Sequence, residues 1–267
     1  MNIVVCVKYV PDATGDRTFD PTDNTVDRYG VDGLLSELDE YAIEEGLAIA
    51  DAQGGEVIAL TLGPEPAKDA IRKALQMGAA RGVHVLDPAV HGSDSGATTL
   101  VLAKAIRKIG AETPVDLVIC GMASTDGSMG VVPAMLAERL GLPQVTFASE
   151  VTIAGQGDGT TVRIRRDGDT ATEVVEASTP LVLSVTDQCN EPRYPSFKGI
   201  MAAKKKPVDT WSLADLGVDP SQVGLGAAWT RVASFEPRPP RTAGKVVPDD
   251  GTGGQQLADY LASQKFV

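Results

Sequence analysis

The sequence predicts an α/β protein: a Rossmann-like, doubly wound parallel sheet with an added antiparallel meander and an extended C-terminal arm. Over the first 145 residues, short β-branched runs alternate with segments of helical periodicity. Because these runs are continuously apolar, they indicate strands buried on both faces, as in a parallel sheet covered by helices. After Pro143 the pattern changes to short runs separated by glycine-rich turns, which favours an antiparallel meander.

The apolar runs and the helix signals locate the elements of this sheet. Ser36 is a candidate helix N-cap, Pro66 lies in a first helical turn, and Gly78 and Gly141 follow the last periodic residue of a helix. The predicted parallel strands are residues 3–7, 56–62, 83–86 and 116–120. The predicted helices are residues 36–50, 65–78, about 95–109 and about 130–140.

The rest of the chain is predicted to add a meander and a tail to this domain, which we bound at residues 1–190. The run 180–186 is again continuously apolar and is expected to return to the main sheet. Residues 208–267 contain too few apolar residues for a core of their own, which predicts an arm lying on the domain or on a partner. A small amphipathic helix is expected at its end. The meander, about 145–177, is predicted to contain strands at residues 145–153, 161–166 and 172–177.

Composition excludes several classes of function. The formal net charge of -12 disfavours broad nucleic-acid binding, which requires a basic surface. The cysteines Cys6, Cys120 and Cys189 have no CxxC spacing, so we expect a reducing compartment without a zinc site. His84 and His91 lie apart from other candidate ligands, and we predict no metal site and no catalytic residue. Because the sequence shows no signal-peptide pattern and no apolar stretch of about 20 residues, we expect a cytoplasmic protein.

A ligand is expected where the parallel strands end, since ligands of open α/β sheets bind at the carboxyl ends of the strands. The most informative of these loops is residues 120–130, which follows the predicted strand 116–120 and leads into a helix. Its glycines Gly121, Gly127 and Gly130 allow an anion to approach the helix N-terminus closely. Neither GxxxxGK[ST] nor GxGxxG is present. A connector without a ligand therefore stays open, and Asp126 could orient a ribose or cap the helix.

Motifs along almost the whole chain resemble the β subunits of electron transfer flavoproteins, particularly the actinobacterial type. They are VKYVPD near the start, ELDEYAIEEGL, AIRKALQMGAARGVHV, STDG with LGLPQVTFAS, NEPRYPSFKGIMAAKKKP and RTAGK. The resemblance implies an electron carrier rather than an enzyme. It implies a heterodimer with an α subunit that holds most of a redox FAD, and AMP bound in the Rossmann-like domain of the β subunit. Electrons would come from flavin dehydrogenases of the acyl-CoA dehydrogenase type and pass to a membrane quinone oxidoreductase.

The resemblance also implies which residues contact the nucleotide. In place of the polar side chains of better-known members, this chain has Gly130, Val131 and Val132, and in place of a meander glutamate it has Arg165. A second FAD in the same cavity, as in bifurcating members, is the alternative to AMP. The nucleotide contacts implied by position are Cys6, Val7, Ser36, Leu38, Asp39, Leu62, Gly121, Ser124, Asp126, Gly127, Ser128, Met129, Gly130, Val131 and Val132.

By the same resemblance, residues 191–207 form a partner recognition loop, here called the recognition segment. Phe197 stands where the family commonly has an anchoring leucine, and Pro192 and Pro195 restrict the segment before docking. Burial of Phe197 in its own domain is the alternative. The residues expected to contact partners are Glu191, Arg193, Tyr194, Phe197, Ile200, Met201, Lys204 and Lys205.

The sequence leads to one further expectation about the C-terminal arm and to two alternative functions. The arm 208–267 is expected to pack on the α subunit. An adenine-nucleotide-binding regulatory or hydrolase domain is an alternative function, because such domains share the strand-loop-helix arrangement without GxGxxG. A nucleic-acid module based on Lys204–Lys206 is the weakest alternative in a chain of this acidity.

Overall fold

The computed structural model describes residues 1–155, 157–241, 243–244 and 246–267, so Thr242 and Lys245 of the RTAGK motif lie outside the described residues. The chain divides into two compact units, Met1–Ala233 and Ser234–Val267. In the described part of the chain, no helix is long and apolar enough to cross a membrane. The first unit contains both the sheet and the recognition segment, and the second contains the C-terminal helix.

The elements of the described residues follow the predicted alternation through the first half of the chain. The strands are β1 (Asn2–Cys6), β2 (Tyr9–Pro11), β3 (Gly33–Leu35), β4 (Glu56–Leu62), β5 (Arg81–Val85), β6 (Leu117–Gly121), β7 (Gln144–Ala148), β8 (Glu150–Ala154), β9 (Thr161–Asp167), β10 (Thr172–Ser178), β11 (Leu181–Val185) and β12 (Val208–Trp211). The helices are α1 (Glu37–Gln53), α2 (Lys68–Met77), α3 (Ser95–Glu112), α4 (Val132–Leu140), α5 (Phe197–Ala203), α6 (Gly224–Ala227) and α7 (Gly253–Ser263).

The main sheet has seven strands in the order β12-β5-β4-β1-β6-β11-β7, and its strand pairs are parallel. The predicted doubly wound parallel fold is therefore confirmed. From β1 the chain builds outward through β4 and β5, β12 later completes that edge, and β6 starts the other half. The order reverses between β1 and β6, which is where open α/β sheets bind ligands.

The strands of this sheet are buried on both faces, as their continuous apolar character predicts. Along β1, Ile3 and Val5 pack into one core with α1 and α2, whereas Val4 and Cys6 pack into the other core with α3 and α4. This alternation follows from the two-residue period of a strand. The helices on both faces thus fix β1 at the centre of the unit.

The predicted meander strand 145–153 is wrong in part, because the chain changes sheets within it. β7 pairs in parallel with β11 at the edge of the main sheet, and only β8 joins the antiparallel sheet β10-β9-β8. The change follows Phe147, which has a φ of 60° and donates its backbone N–H to Ser184 Oγ at 2.9 Å. The left-handed backbone at Phe147 breaks the alternation that would have made one continuous strand.

The structure also differs from the predicted beginning of the C-terminal arm. Residues 208–233 belong to the first unit, where β12 pairs in parallel with β5. Trp211 and Leu216 pack into the core on the α3 face, and Lys108 lies 4.5 Å above the Trp211 ring. The sequence signal was weak because the buried residues of this stretch stand singly between polar ones. The expected C-terminal helix is present as α7.

Helix termini agree with the predicted signals except at Ser36. Gly78 and Gly141 follow α2 and α4 with φ values of 149° and 70°, in the region that favours glycine. Ser36 occupies the N-cap position of α1, but its side chain makes no capping hydrogen bond. Its hydroxyl oxygen is buried without a hydrogen-bond partner among the described residues, so the predicted capping role of Ser36 is wrong.

Candidate functional site

A cavity of about 990 Å³ opens at the carboxyl ends of β1 and β6, where the strand order reverses. Its inner wall is formed by the ends of β1, β4 and β6, the first turn of α1 and the glycine-rich loop that leads into α4. Apolar side chains such as Leu62 and Leu102 line the cavity together with the basic side chains Lys8 and Arg28. Lys8 and Arg28 lie beside the glycine-rich loop, through their ion pairs with Asp126, and could face an anionic group of a ligand there. The lining elsewhere is acidic and includes Asp20, Asp23, Asp27, Glu65, Asp87 and Asp94.

Most of the residues predicted to contact a nucleotide come together around this cavity, although they lie far apart in the sequence. Ten of them line the cavity: Cys6, Val7, Asp39, Leu62, Gly121, Ser124, Gly127, Met129, Gly130 and Val132. Five others do not line it, namely Ser36, Leu38, Asp126, Ser128 and Val131.

Asp39 ties the inner wall together from the first turn of α1. Its carboxylate accepts the backbone N–H of Lys8 at 2.8 Å. A Cβ atom on Gly121 would lie 2.6 Å from Asp39 Oδ1 and 2.8 Å from the carbonyl oxygen of Leu38, so the end of β6 can approach α1 only as glycine. Burial raises the pKa of Asp39 to about 7, and hydrogen bonds from the backbone of Lys8 and Gly121 oppose that rise.

Asp126 holds the glycine-rich loop through two ion pairs. Its carboxylate lies 2.8 Å from Lys8 Nζ and 2.9 Å from Arg28 Nη2, and its side chain is 3% exposed. Burial alone would raise its pKa, but the positive charges of Lys8 and Arg28 hold the pKa of Asp126 well below its usual range. The helix-capping alternative for Asp126 is wrong, because Val131 occupies the N-cap position of α4.

The loop of residues 12–32, between β2 and β3, forms an outer wall that sequence reasoning missed. His91 Nε2 lies 2.7 Å from Asp23 Oδ2, and both residues line the cavity. The side chain of Asn24 donates to the carbonyl oxygens of Val232 and Ala233 at 3.1 and 3.3 Å. The loop is also attached by Arg28, whose guanidinium lies 2.9 Å from Asp126, and by Arg17, which donates to the carbonyl oxygen of Thr125 at 2.8 Å. The sequence did contain one signal for these charge contacts. Lys8 and Asp126 follow two neighbouring parallel strands, β1 and β6, so their opposite charges come together at the carboxyl ends of those strands.

The recognition segment lies on the first unit with its aromatic side chains outward. Tyr194 is 93% exposed and Phe197 is 80% exposed, so burial of Phe197 in its own domain is contradicted. Ser196 begins α5 by accepting the backbone N–H of Gly199 at 3.0 Å. Ile200 and Met201 are partly exposed on the same short helix, and Glu191, Lys204 and Lys205 are exposed. These residues present an apolar patch with a charged rim.

Arg193 differs from its neighbours because it faces inward. Its guanidinium contacts Glu44 at 2.8 Å and Asp51 at 3.2 Å, both on α1. Arg165 pairs with Glu150 at 2.9 Å and with Asp167 at 3.0 Å. Both arginines therefore have partners within the chain.

Comparison with known proteins gives a consistent result. The family described as the electron transfer flavoprotein domain matches residues 23–216. The electron transfer flavoprotein subunit beta of Mycobacterium tuberculosis is 46% identical over 271 residues, covering 100% of this chain and 99% of that protein. The subunit beta of Megasphaera elsdenii is 33% identical over 275 residues, covering 100% of both chains. The caffeyl-CoA reductase-Etf complex subunit CarD of Acetobacterium woodii is 36% identical over 266 residues, covering 99% of this chain and 97% of that protein.

Proposed function

The chain belongs to the electron transfer flavoprotein family as a β subunit, and on this premise we propose how it takes part in electron transfer. It assembles with an α subunit into a heterodimer that carries one redox FAD, held mainly by the α subunit. The heterodimer accepts electrons from flavin dehydrogenases of the acyl-CoA dehydrogenase type and passes them to a membrane quinone oxidoreductase. The β subunit acts as a carrier subunit and contributes no catalytic residue. The observation that carries this proposal is full-length similarity to β subunits at 46% identity.

Within this complex, the cavity at the carboxyl ends of β1 and β6 holds AMP. The volume of about 990 Å³ and the position at the strand-order reversal support a nucleotide there. Lys8 and Arg28 line the cavity and supply positive charge, and the N-terminus of α4 adds the positive end of a helix dipole. Because Gly130, Val131 and Val132 have no polar side chains, phosphate contacts in this loop come from backbone N–H groups.

The FAD supplies the electron-accepting and electron-donating chemistry when it is bound, and the recognition segment supplies the docking surface. Phe197 is a rigid aromatic side chain at the centre of a small exposed apolar patch, which is the usual character of an interface hot spot. The exposed lysines at its edge favour partners with an acidic surface. Residues 234–267 form the part of the arm that packs on the α subunit.

Co-expression with the α subunit tests this function. The purified complex is expected to be yellow and to lose its flavin absorbance at the oxidised maximum when acyl-CoA and a catalytic amount of an acyl-CoA dehydrogenase are added. The same mixture without the dehydrogenase is the control, since acyl-CoA alone does not reduce a carrier flavin. A colourless chain that does not copurify with the α subunit, or one that hydrolyses ATP by itself, would contradict the proposal.

The nucleotide in the cavity is tested separately by its chemical identity. AMP is the expected occupant, and a second FAD is the alternative that a bifurcating-type β subunit would show. Mass spectrometry of nucleotides released from the complex distinguishes them, because FAD alone in about twofold molar excess over heterodimer would replace the AMP assignment. That outcome would leave the proposed carrier function intact.

A further inference from the structure

The recognition segment is attached to the first unit at both of its ends, and its exposed aromatic side chains lie between the attachments. The first attachment is Arg193, before the short helix α5, and the second is Lys206, after it. A seven-residue helix is too short to be stable by itself in water. The orientation of the exposed Phe197 therefore depends on the contacts that hold the segment on the rest of the unit, at its two ends and along α2.

Arg193 forms the stronger attachment, to the carboxylates of α1. Its Nε donates to Glu44 Oε2 at 2.8 Å, its Nη2 donates to Glu44 Oε1 at 2.9 Å, and its backbone N–H donates to Glu44 Oε2 at 2.9 Å. Nη1 and Nη2 also reach Asp51 Oδ2, each at 3.2 Å. Two parallel N–H to oxygen bonds fix both the distance and the plane of a guanidinium, which a lysine cannot do.

Residues before Arg193 reinforce this attachment. The side chain of Asn190 donates to the carbonyl oxygen of Tyr41 and to Glu45 Oε2, both at 3.1 Å. Glu44 is 9% exposed, so a Glu44 carboxylate without Arg193 would remain largely buried and unpaired. Breaking the pair therefore costs more than breaking a fully exposed ion pair.

Lys206 attaches the other end of the segment to the carboxyl end of α2. Its Nζ donates to the carbonyl oxygen of Leu75 at 2.9 Å and to that of Ala79 at 2.6 Å. Between the two ends, α5 lies close against α2, since a Cβ on Gly199 would be 2.6 Å from the carbonyl oxygen of Gln76. The recognition segment is thus held on α1 and α2, and its side chains on the opposite side remain exposed.

We propose that Arg193 is a positioning residue for partner docking: by holding the recognition segment on α1, it fixes the direction in which Phe197 projects before the partner arrives. This inference rests on the proposed docking function of the segment. The Arg193 guanidinium is engaged by Glu44 and Asp51, so the role proposed here differs from the direct partner contact that the resemblance implies, which stays a prediction. Its contribution to docking is preorganisation, because a segment ordered in advance loses less conformational entropy on binding.

The test uses the heterodimer, with acyl-CoA dehydrogenase as the electron donor. Arg193→Gln is expected to raise the KM for the dehydrogenase about tenfold, while kcat, bound nucleotide and flavin reduction by dithionite stay the same. Arg193→Lys is expected to restore little, because lysine lacks the planar fork. Arg72→Gln is the matched control, since Arg72 forms an exposed ion pair with Asp69 on α2 and is expected to leave KM unchanged. Hydrogen exchange of residues 191–207 should rise in Arg193→Gln alone.

Phe197→Ala separates failure of this inference from failure of the docking proposal. If Phe197→Ala raises KM and Arg193→Gln does not, the positioning role is overturned and the docking role stands. If Phe197→Ala leaves KM unchanged, the docking role fails, and the positioning role fails with it. Should Arg193→Gln lower the yield of folded complex, Lys206→Gln tests the attachment at the other end, and an unchanged KM in that variant overturns the proposal.

Discussion

The cavity and the recognition segment are built in opposite ways, although both rest on α1. Around the cavity, charged side chains pair with one another inside the chain: Lys8 and Arg28, which line it, pair with Asp126 behind the lining. In the recognition segment, large apolar side chains remain exposed, and the charged side chains Arg193 and Lys206 near its ends bond to the rest of the unit. This chain alone can therefore supply the walls of a small-ligand site at the cavity. The apolar surface of the segment, in contrast, can be buried only against another protein.

This comparison implies that the two regions can be altered independently. A change inside the cavity should alter stability and nucleotide content without a specific effect on docking, and a change on the outer surface of the segment should do the reverse. Variants in each region test this independence, from the largest expected effect to the smallest.

Gly121→Val should have the largest effect, because it acts on the closest approach in the cavity wall. Its Cβ would lie 2.6 Å from Asp39 Oδ1 and 2.8 Å from a backbone oxygen, so the end of β6 would have to move away from α1. We expect a loss of about 3 kcal/mol or more in the free energy of unfolding, and loss of AMP. Chemical denaturation and nucleotide analysis of the heterodimer measure both.

Gly127→Ala is the matched control in the same loop. The nearest neighbour of its added Cβ is the movable hydroxyl oxygen of Ser124, at 3.3 Å. We expect a change of less than about 1 kcal/mol in the free energy of unfolding. Equal destabilisation by the two substitutions would show that the close contact between β6 and α1 does not determine the shape of the cavity.

The buried carboxyl group of Asp39, in the cavity wall, should make the free energy of unfolding depend on pH. Burial raises its pKa to about 7 in the folded chain, whereas an unfolded chain has a value of about 3.9. Between these values the folded form holds a proton that the unfolded form has lost. Its stabilising contribution is therefore complete below about pH 4 and is lost as the pH rises towards 7, by about 1.4 kcal/mol per pH unit.

Asp39→Asn should remove this part of the pH dependence. The slope of the unfolding free energy between about pH 4.5 and about pH 6.5 should become more positive than that of the wild type by up to about 1.4 kcal/mol per pH unit. Identical slopes for Asp39→Asn and the wild type would contradict the protonation of Asp39 in the folded chain.

Phe197→Ala tests the other half of the comparison. Because the side chain is 80% exposed, its removal should leave the stability of the heterodimer within about 0.5 kcal/mol of the wild type. A hot-spot loss of about 2 kcal/mol corresponds to roughly a thirtyfold rise in the KM for an acyl-CoA dehydrogenase. Val174→Ala, an exposed apolar residue on β10, is the control. Destabilisation by Phe197→Ala without a change in KM would assign Phe197 to folding.

Lys204 and Lys205 should have the smallest effect, since both side chains are exposed at the rim of the segment. Replacing both with Gln should slow association with an acidic partner a few-fold at low salt and have little effect at high salt. Stopped-flow reduction at several ionic strengths measures this. A slowing that is the same at every salt concentration would indicate a direct contact rather than electrostatic steering.

The same comparison explains which features the sequence could predict. The recognition segment is one continuous stretch, and its exposed Tyr194 and Phe197 lie three residues apart in the chain. The glycine-rich loop was also visible, because glycines after a buried strand and before a helix have local meaning. The main sheet was predicted because each central strand is apolar along its whole length.

The features that sequence analysis missed depend on contacts between distant residues. Nothing local connects His91 to Asp23, or Asn24 to Val232, although these contacts build the outer wall of the cavity. The edge strand β12 was missed because an edge strand is apolar only in part. The change of sheets after β7 depends on a single residue, Phe147, whose backbone conformation no pattern of hydrophobicity records.

The most direct test of the account is the nucleotide content of the purified heterodimer. FAD and AMP should be released in a one-to-one ratio from the wild type and from Phe197→Ala, while Gly121→Val should retain FAD and lose AMP. That result would assign the mononucleotide to the cavity of this chain and separate it from the docking surface. Release of FAD without AMP from the wild type, or retention of AMP by Gly121→Val, would contradict the account.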